Sequence, residues 1–195
     1  MALSNQISNP EYPEIQKYYR KIDFDNWRNH NWWENGEWER YLPIEEHHRW
    51  DKFYNQACKN KYNNYKKSPG YHFVEVLEMI ELKKNGYEWL YENYYLFRNA
   101  RPTEEKWWSG TEKIKEIIGK SKIDKLHKIA SSMQLKPTEP DLFDYRKNNM
   151  IFGEVKREDK LSLKQKLGLD LIKKYLKIEF RIVRYKEALE GICLR

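Results

Sequence analysis

At 195 residues the chain is long enough for a single compact body, and with 39% hydrophobic but 15% aromatic residues its core must lean on Trp, Tyr and Phe. A surplus of 37 Lys and Arg over 30 Asp and Glu leaves a net charge of +7, which favours a polyanionic partner. The sequence argues against a membrane or secreted protein: no apolar run approaches a span, the N-terminus lacks a signal-peptide layout, and two distant thiols, Cys58 and Cys193, fit a reducing cytoplasm.

In chain order, residues 1–20 are polar and punctuated by Pro10 and Pro13, which predicts a loose arm and then a short helix over Glu14–Arg20. From Asp23 to Tyr65 the chain is dense in aromatics, among them Trp27, Trp32, Trp33, Trp38, Trp50, Phe53 and Tyr54. Pro43 opens a predicted helix over Ile44–Lys59, with Trp50, Phe53 and Tyr54 at helical spacing. Mixed with Arg28, Arg40, Arg49 and Lys52, these rings could stack on unpaired bases, but burial in a small core is the commoner use of Trp. His30, His47, His48 and Cys58 lack the spacing of a zinc site.

Ser68-Pro69-Gly70 breaks the chain and sets a boundary between an aromatic helical region, 1–66, and a core, 67–195. Tyr71–Asn85 reads as a helix ended by Gly86, with Phe73, Val76, Leu77 and Ile80 in one stripe and Glu75, Glu78 and Glu81 off it. Gly86–Asn99 is predicted to continue as a helix until Arg101-Pro102, followed by helices over Thr103–Gly119 and Lys122–Met133. These helices lie at about 86–134, between the Tyr71–Asn85 helix and the strands that follow.

Phe143, Tyr145, Ile151, Phe152 and Val155 are strand formers, and Asn148-Asn149 between them can take the positive φ of a two-residue hairpin turn. That loop would set Asp141 opposite Lys156 and Phe143 opposite Glu154. Because paired residues share a face and side chains alternate, Asp141, Glu154 and Lys156 would project from one side while Val155 points into a core. Two carboxylates and a lysine on one face can hold a Mg²⁺ or Mn²⁺ ion beside a cation that faces a phosphate. Ser162-x-x-Gln165 is a capping box opening an amphipathic helix, Leu163–Leu176, before an alternating strand at Ile178–Tyr185 and a short tail, Glu187–Arg195. Lys164, Lys166, Lys173, Lys174 and Lys177 make this half basic.

Pro140-Asp141, a gap, then Glu154-Val155-Lys156 resembles the PD-(D/E)xK nuclease signature. The continuation Asp159-Lys160-Leu161-Ser162-Leu163-Lys164-Gln165 is similar to the corresponding run of the VRR-NUC branch, which includes the Fanconi-associated nuclease. The likeness spans roughly Pro137 to Tyr185. It implies an α/β fold, a small mixed sheet flanked by helices, and a divalent-metal-dependent nuclease acting on DNA, endonuclease or exonuclease, with a structure-specific substrate in view. By the resemblance, Asp141, Glu154 and the Val155 carbonyl hold Mg²⁺ or Mn²⁺, and Glu75 or Glu78 adds a third acid. Lys156 orients the attacking water, and Gln165 sits beside it. Arg157, Lys160 and Lys164 grip flanking phosphates. By the same resemblance, the helices at about 86–134 look like an insertion in the nuclease core, which would hinder pairing of two copies and so favours a monomer. The alternatives are an RNA-cleaving nuclease of a defence or toxin system, and a nucleic-acid-binding module that has lost catalysis.

Overall fold

A five-stranded mixed sheet organises residues 12–28, 73–91, 93–147 and 149–189, which are those described in this computed structural model. Its order is β1 (Glu14–Tyr19), β5 (Glu179–Glu187), β4 (Asn149–Lys156), β3 (Leu142–Arg146), β2 (Glu88–Tyr91). β1, β5 and β4 run parallel, while β4, β3 and β2 form an antiparallel meander. The helices are α1 (Lys21–Arg28), α2 (Phe73–Lys84), α3 (Glu105–Ile118), α4 (Lys120–Ser132) and α5 (Leu163–Leu171). A parallel neighbour cannot follow through a tight turn, so a crossover is needed between β4 and β5, and α5 supplies it.

Alternation along the strands gives the sheet two cores. On one face Leu142, Val155, Val183 and Tyr185 pack with Phe73, Val76, Met79 and Ile80 of α2. On the other, Phe143, Phe152, Phe180 and Ile182 pack with Ile114 of α3, Ile123 and Leu126 of α4, and Leu169 of α5. A sheet covered on both faces needs apolar side chains at successive strand positions, which Leu142-Phe143 and Ile182-Val183 provide.

The structure departs from four of the sequence expectations. Glu14–Arg20 is not a helix: residues 14–19 form β1, and its period-2 pattern sends Lys17 and Tyr19 towards α2. Gly86–Asn99 is not a helix either. Gly86, at φ 74°, turns the chain so that Glu88–Tyr91 can pair with β3, with Trp89 and Tyr91 against one core and Leu90 against the other. The hairpin register differs by two residues. Lys147 takes the positive φ of 50°, Arg146 pairs with Asn149, and Phe143 faces Phe152 with ring centroids 4.8 Å apart. That pairing joins two aromatic rings in one core, where the expected register set Phe143 against a carboxylate. Finally, the helix expected over Leu163–Leu176 changes at Ile172 to a π-wound turn, closed at Lys177 with φ 56°.

The paired helices between β2 and β3 lie within the expected insertion, separated by Gly119 at φ 110°. β1 joins the same sheet as the core, so the boundary drawn at residue 66 does not set it apart. The aromatic stretch beyond residue 28, with the Ile44–Lys59 helix and His30, His47, His48 and Cys58, lies outside the described residues, as does Cys193. No helix among the described residues is long and apolar enough to cross a membrane.

Candidate functional site

β3 begins its ladder at Leu142, paired with Gly153. One residue earlier, Asp141 Oδ2 accepts the Val155 N–H at 2.8 Å, so the carboxylate continues the pairing where the strand has ended. Val155 and its partner Val183 belong to the α2 face, so their neighbours Glu154, Lys156 and Ile182 lie on the opposite one. The two-residue change of register preserves this parity, because only an odd slip exchanges faces.

Glu154 is 1% exposed. Its Oε1 accepts from Lys156 Nζ at 2.7 Å and from Gln165 Nε2 at 2.5 Å. Gln165 also closes the capping box of α5: its backbone N–H donates to Ser162 Oγ at 3.2 Å, and its Oε1 accepts the Ser162 N–H at 2.9 Å. One amide thus ties the start of α5 to Glu154, its carbonyl capping the helix and its NH₂ group holding the acid. Lys156 Nζ lies 3.3 Å from Asp159 Oδ2, a mostly exposed carboxylate.

The charges are arranged as a desolvated cluster. Burial, with Asp141 beside it, pushes Glu154 up to about 8 although Lys156 opposes the shift. Burial pulls Lys156 down, but Glu154 and Asp141 outweigh it and raise the ammonium to about 12. Lys156 therefore keeps its proton and acts as a fixed positive charge. Tyr94, behind Asp141, has its hydroxyl raised well above the usual range by burial and then by the charges of Asp141 and Glu139, so it serves as a donor. That hydroxyl donates to Pro140 O at 2.7 Å.

Asp141, Glu154, Lys156 and Gln165 are brought together; the other expected residues are not all with them. Glu78 is on α2, across the sheet. Its Oε2 accepts from Lys17 Nζ at 2.7 Å and from the Tyr185 hydroxyl at 2.9 Å, and its Oε1 from Arg181 at 3.1 Å. Asp144 joins the same group through Arg181 at 2.9 Å, and burial raises it to about 7 against the pull of that guanidinium. Glu78 is thereby held by Lys17, Arg181 and Tyr185 on the α2 face and does not join Glu154 and its partners. Glu75 is half-buried on the same helix. Arg157 turns to the α1 side, its guanidinium 4.5 Å from the Phe24 ring centre. Lys160 and Lys164 are exposed, one in the loop before α5 and the other in its first turn.

The sequence reading gave neither Asp159 nor Tyr94 a contact in the site. Asp159 sits three residues after Lys156, a spacing that could have suggested the contact. Tyr94 lies 46 residues from Pro140, and nothing local links the two. Among the described residues no three His, Cys, Asp or Glu side chains converge as a metal cage. The donor set nonetheless suits Mg²⁺ or Mn²⁺, which take one or two carboxylates and keep several waters. The crowding of Asp141 against Glu154 is what such an ion relieves.

In comparisons with known proteins, no family model, no curated protein and no solved structure matches this chain.

Proposed function

We propose that this chain is a divalent-metal-dependent nuclease with a PD-(D/E)xK-type core, hydrolysing phosphodiester bonds with DNA as the first candidate substrate. The observation that carries the reading is the meeting of Asp141, Glu154, Lys156 and Gln165 on one sheet face, with Glu154 Oε1 shared between Lys156 and Gln165. Around it, strand β3, the turn, strand β4, the capped helix α5 and strand β5 follow one another in the order the resemblance implies.

A bound Mg²⁺ or Mn²⁺ supplies the Lewis acid that polarises a phosphate and lowers the pKa of a coordinated water. Asp141 and Glu154 would hold it, with the Val155 carbonyl lying between Glu154 and Lys156 in the chain. Gln165 keeps the Glu154 carboxylate aimed. Lys156 orients water and offsets charge developing on the phosphate. Lys160 and Lys164 meet flanking phosphates, in keeping with the +7 net charge.

The test is purified protein with Mg²⁺ or Mn²⁺ against labelled single-stranded, duplex, flap and four-way DNA, and against RNA. Cleavage that needs the metal and falls at least ~10²-fold in Lys156→Ala supports the reading, since that is the usual scale for one positioned electrostatic group. A wild-type protein that binds these nucleic acids but cuts none overturns it in favour of a binding module.

A further inference from the structure

Asp141 stands outside the sheet ladder, so something other than strand pairing must fix its backbone. The residue before it, Pro140, has no N–H and offers its peptide only a carbonyl to hold. That carbonyl belongs to the same peptide plane as the Asp141 nitrogen, and it is the acceptor of the buried Tyr94 hydroxyl at 2.7 Å.

Tyr94 is itself braced from both sides. The Tyr95 N–H donates to Thr111 Oγ1 of α3 at 2.9 Å, and Thr111 is fully buried. One residue earlier on that helix, a Cβ at Gly110 would lie 2.1 Å from Asn93 O, so α3 rests directly on the backbone beside Tyr94. On the other side, Glu139 Oε1 accepts the Phe97 N–H at 3.4 Å. The run from 137 to 141 is held in turn by α5: the Thr138 N–H donates to Lys164 O at 3.2 Å. A Cβ at Gly168 would lie 2.4 Å from Thr138 O and 3.1 Å from the Phe97 ring.

We propose that Tyr94 is a positioning residue for Asp141, and that segment 93–98, strapped between α3 and α5, sets where that carboxylate stands relative to Glu154. The assignment of Asp141 as a metal ligand rests on the function proposed above, but the strap does not. The α3–α4 helix pair is then a brace for the site, because α3 reaches Asp141 through Thr111, Tyr95, Tyr94 and Pro140 in turn.

The test is Tyr94→Phe, which keeps the ring and removes the hydroxyl. The Val155 amide reports directly on Asp141, whose Oδ2 is its acceptor. In Tyr94→Phe its hydrogen exchange, followed by NMR, should quicken at least ~10-fold relative to the Phe152 and Gly153 amides. The affinity for Mn²⁺, titrated by calorimetry, should weaken about 10-fold or more, the usual loss on removing an outer support of a metal ligand, and raised Mn²⁺ should restore the cleavage rate. Thr111→Val, which removes the anchor of the strap, should move the same amide in the same direction and serves if Tyr94→Phe does not fold. Unchanged Val155 exchange in a folded variant overturns the inference. So does a quickening shared by all β4 amides, which means general loosening. If wild type binds no Mn²⁺ and cuts nothing while Val155 exchange still rises selectively, the nuclease reading fails and the positioning role stands.

Discussion

Replacing Glu154 with Gln should change how stability depends on pH. Burial and Asp141 raise the Glu154 carboxyl from 4.5 to about 8 in the folded chain. Each tenfold bias in protonation is worth about 1.4 kcal/mol, so the full shift corresponds to about 5 kcal/mol. The sign follows from the direction. A raised carboxyl favours the fold while protonated, so its contribution is complete below pH 4.5, declines as pH rises, and is gone above about 8. Gln cannot ionise, and its carbonyl can still accept from Lys156 or Gln165. It also deprives Lys156 of a counter-charge, leaving Asp159 and Asp141, and local relaxation softens the burial term. The advantage of Glu154→Gln over wild type should therefore grow by ~2–5 kcal/mol between pH 5 and pH 9. Urea unfolding of both proteins in metal-free buffer at several pH values measures it, and Asp144, which titrates in both, cancels in the difference. Mn²⁺ at pH 9 should stabilise wild type by about 2.7 kcal/mol at a hundred times its Kd and leave Glu154→Gln almost unchanged. A difference that stays constant with pH would refute the desolvation argument.

Gly168→Ala sets two effects against each other: a gain of roughly 1 kcal/mol in helix propensity and a Cβ 2.4 Å from Thr138 O. The clash should win by ~1–3 kcal/mol, read as a lower melting temperature; an unchanged one means α5 does not rest on Thr138 as closely as described. Asp144 is raised to about 7 by burial, so its contribution declines between pH 3.8 and 7, and Asp144→Asn should gain stability over wild type on going from pH 4 to pH 8. Its cleavage rate should stay within a few-fold of wild type, whereas a ~10²-fold loss would place the α2 face in the reaction. Lys164→Ala should weaken nucleic-acid binding and reduce the salt slope by about one, with little effect on the single-turnover rate; an unchanged slope removes Lys164 from the phosphate contacts.

What the sequence determined by itself is what local spacing controls. The capping box at Ser162 and Gln165 defines the start of α5, because both partners lie within one helical turn. The common face of Glu154 and Lys156 follows from strand alternation alone, and Asp141 stays with them even though the true turn places Lys147, not Asn149, at positive φ. The two-residue error in register was not decidable locally, since it turned on whether Phe143 met Phe152 or Glu154 across the pair. β1 and β2 were illegible for a related reason. β1 is short and mostly exposed, β2 short and half-buried, and each becomes a strand because of its partner: β1 against β5, with Glu14 beside Ile182, and β2 against β3 across the whole α3–α4 helix pair. The acid on α2 shows the limit most clearly. The helical period puts Glu78 on a helix, but only the packed sheet decides which face that helix covers, and there Lys17, Arg181 and Tyr185 claim the carboxylate. Spacing along the chain determines which side chains travel together; which distant groups they meet depends on long-range packing that no short window of sequence contains.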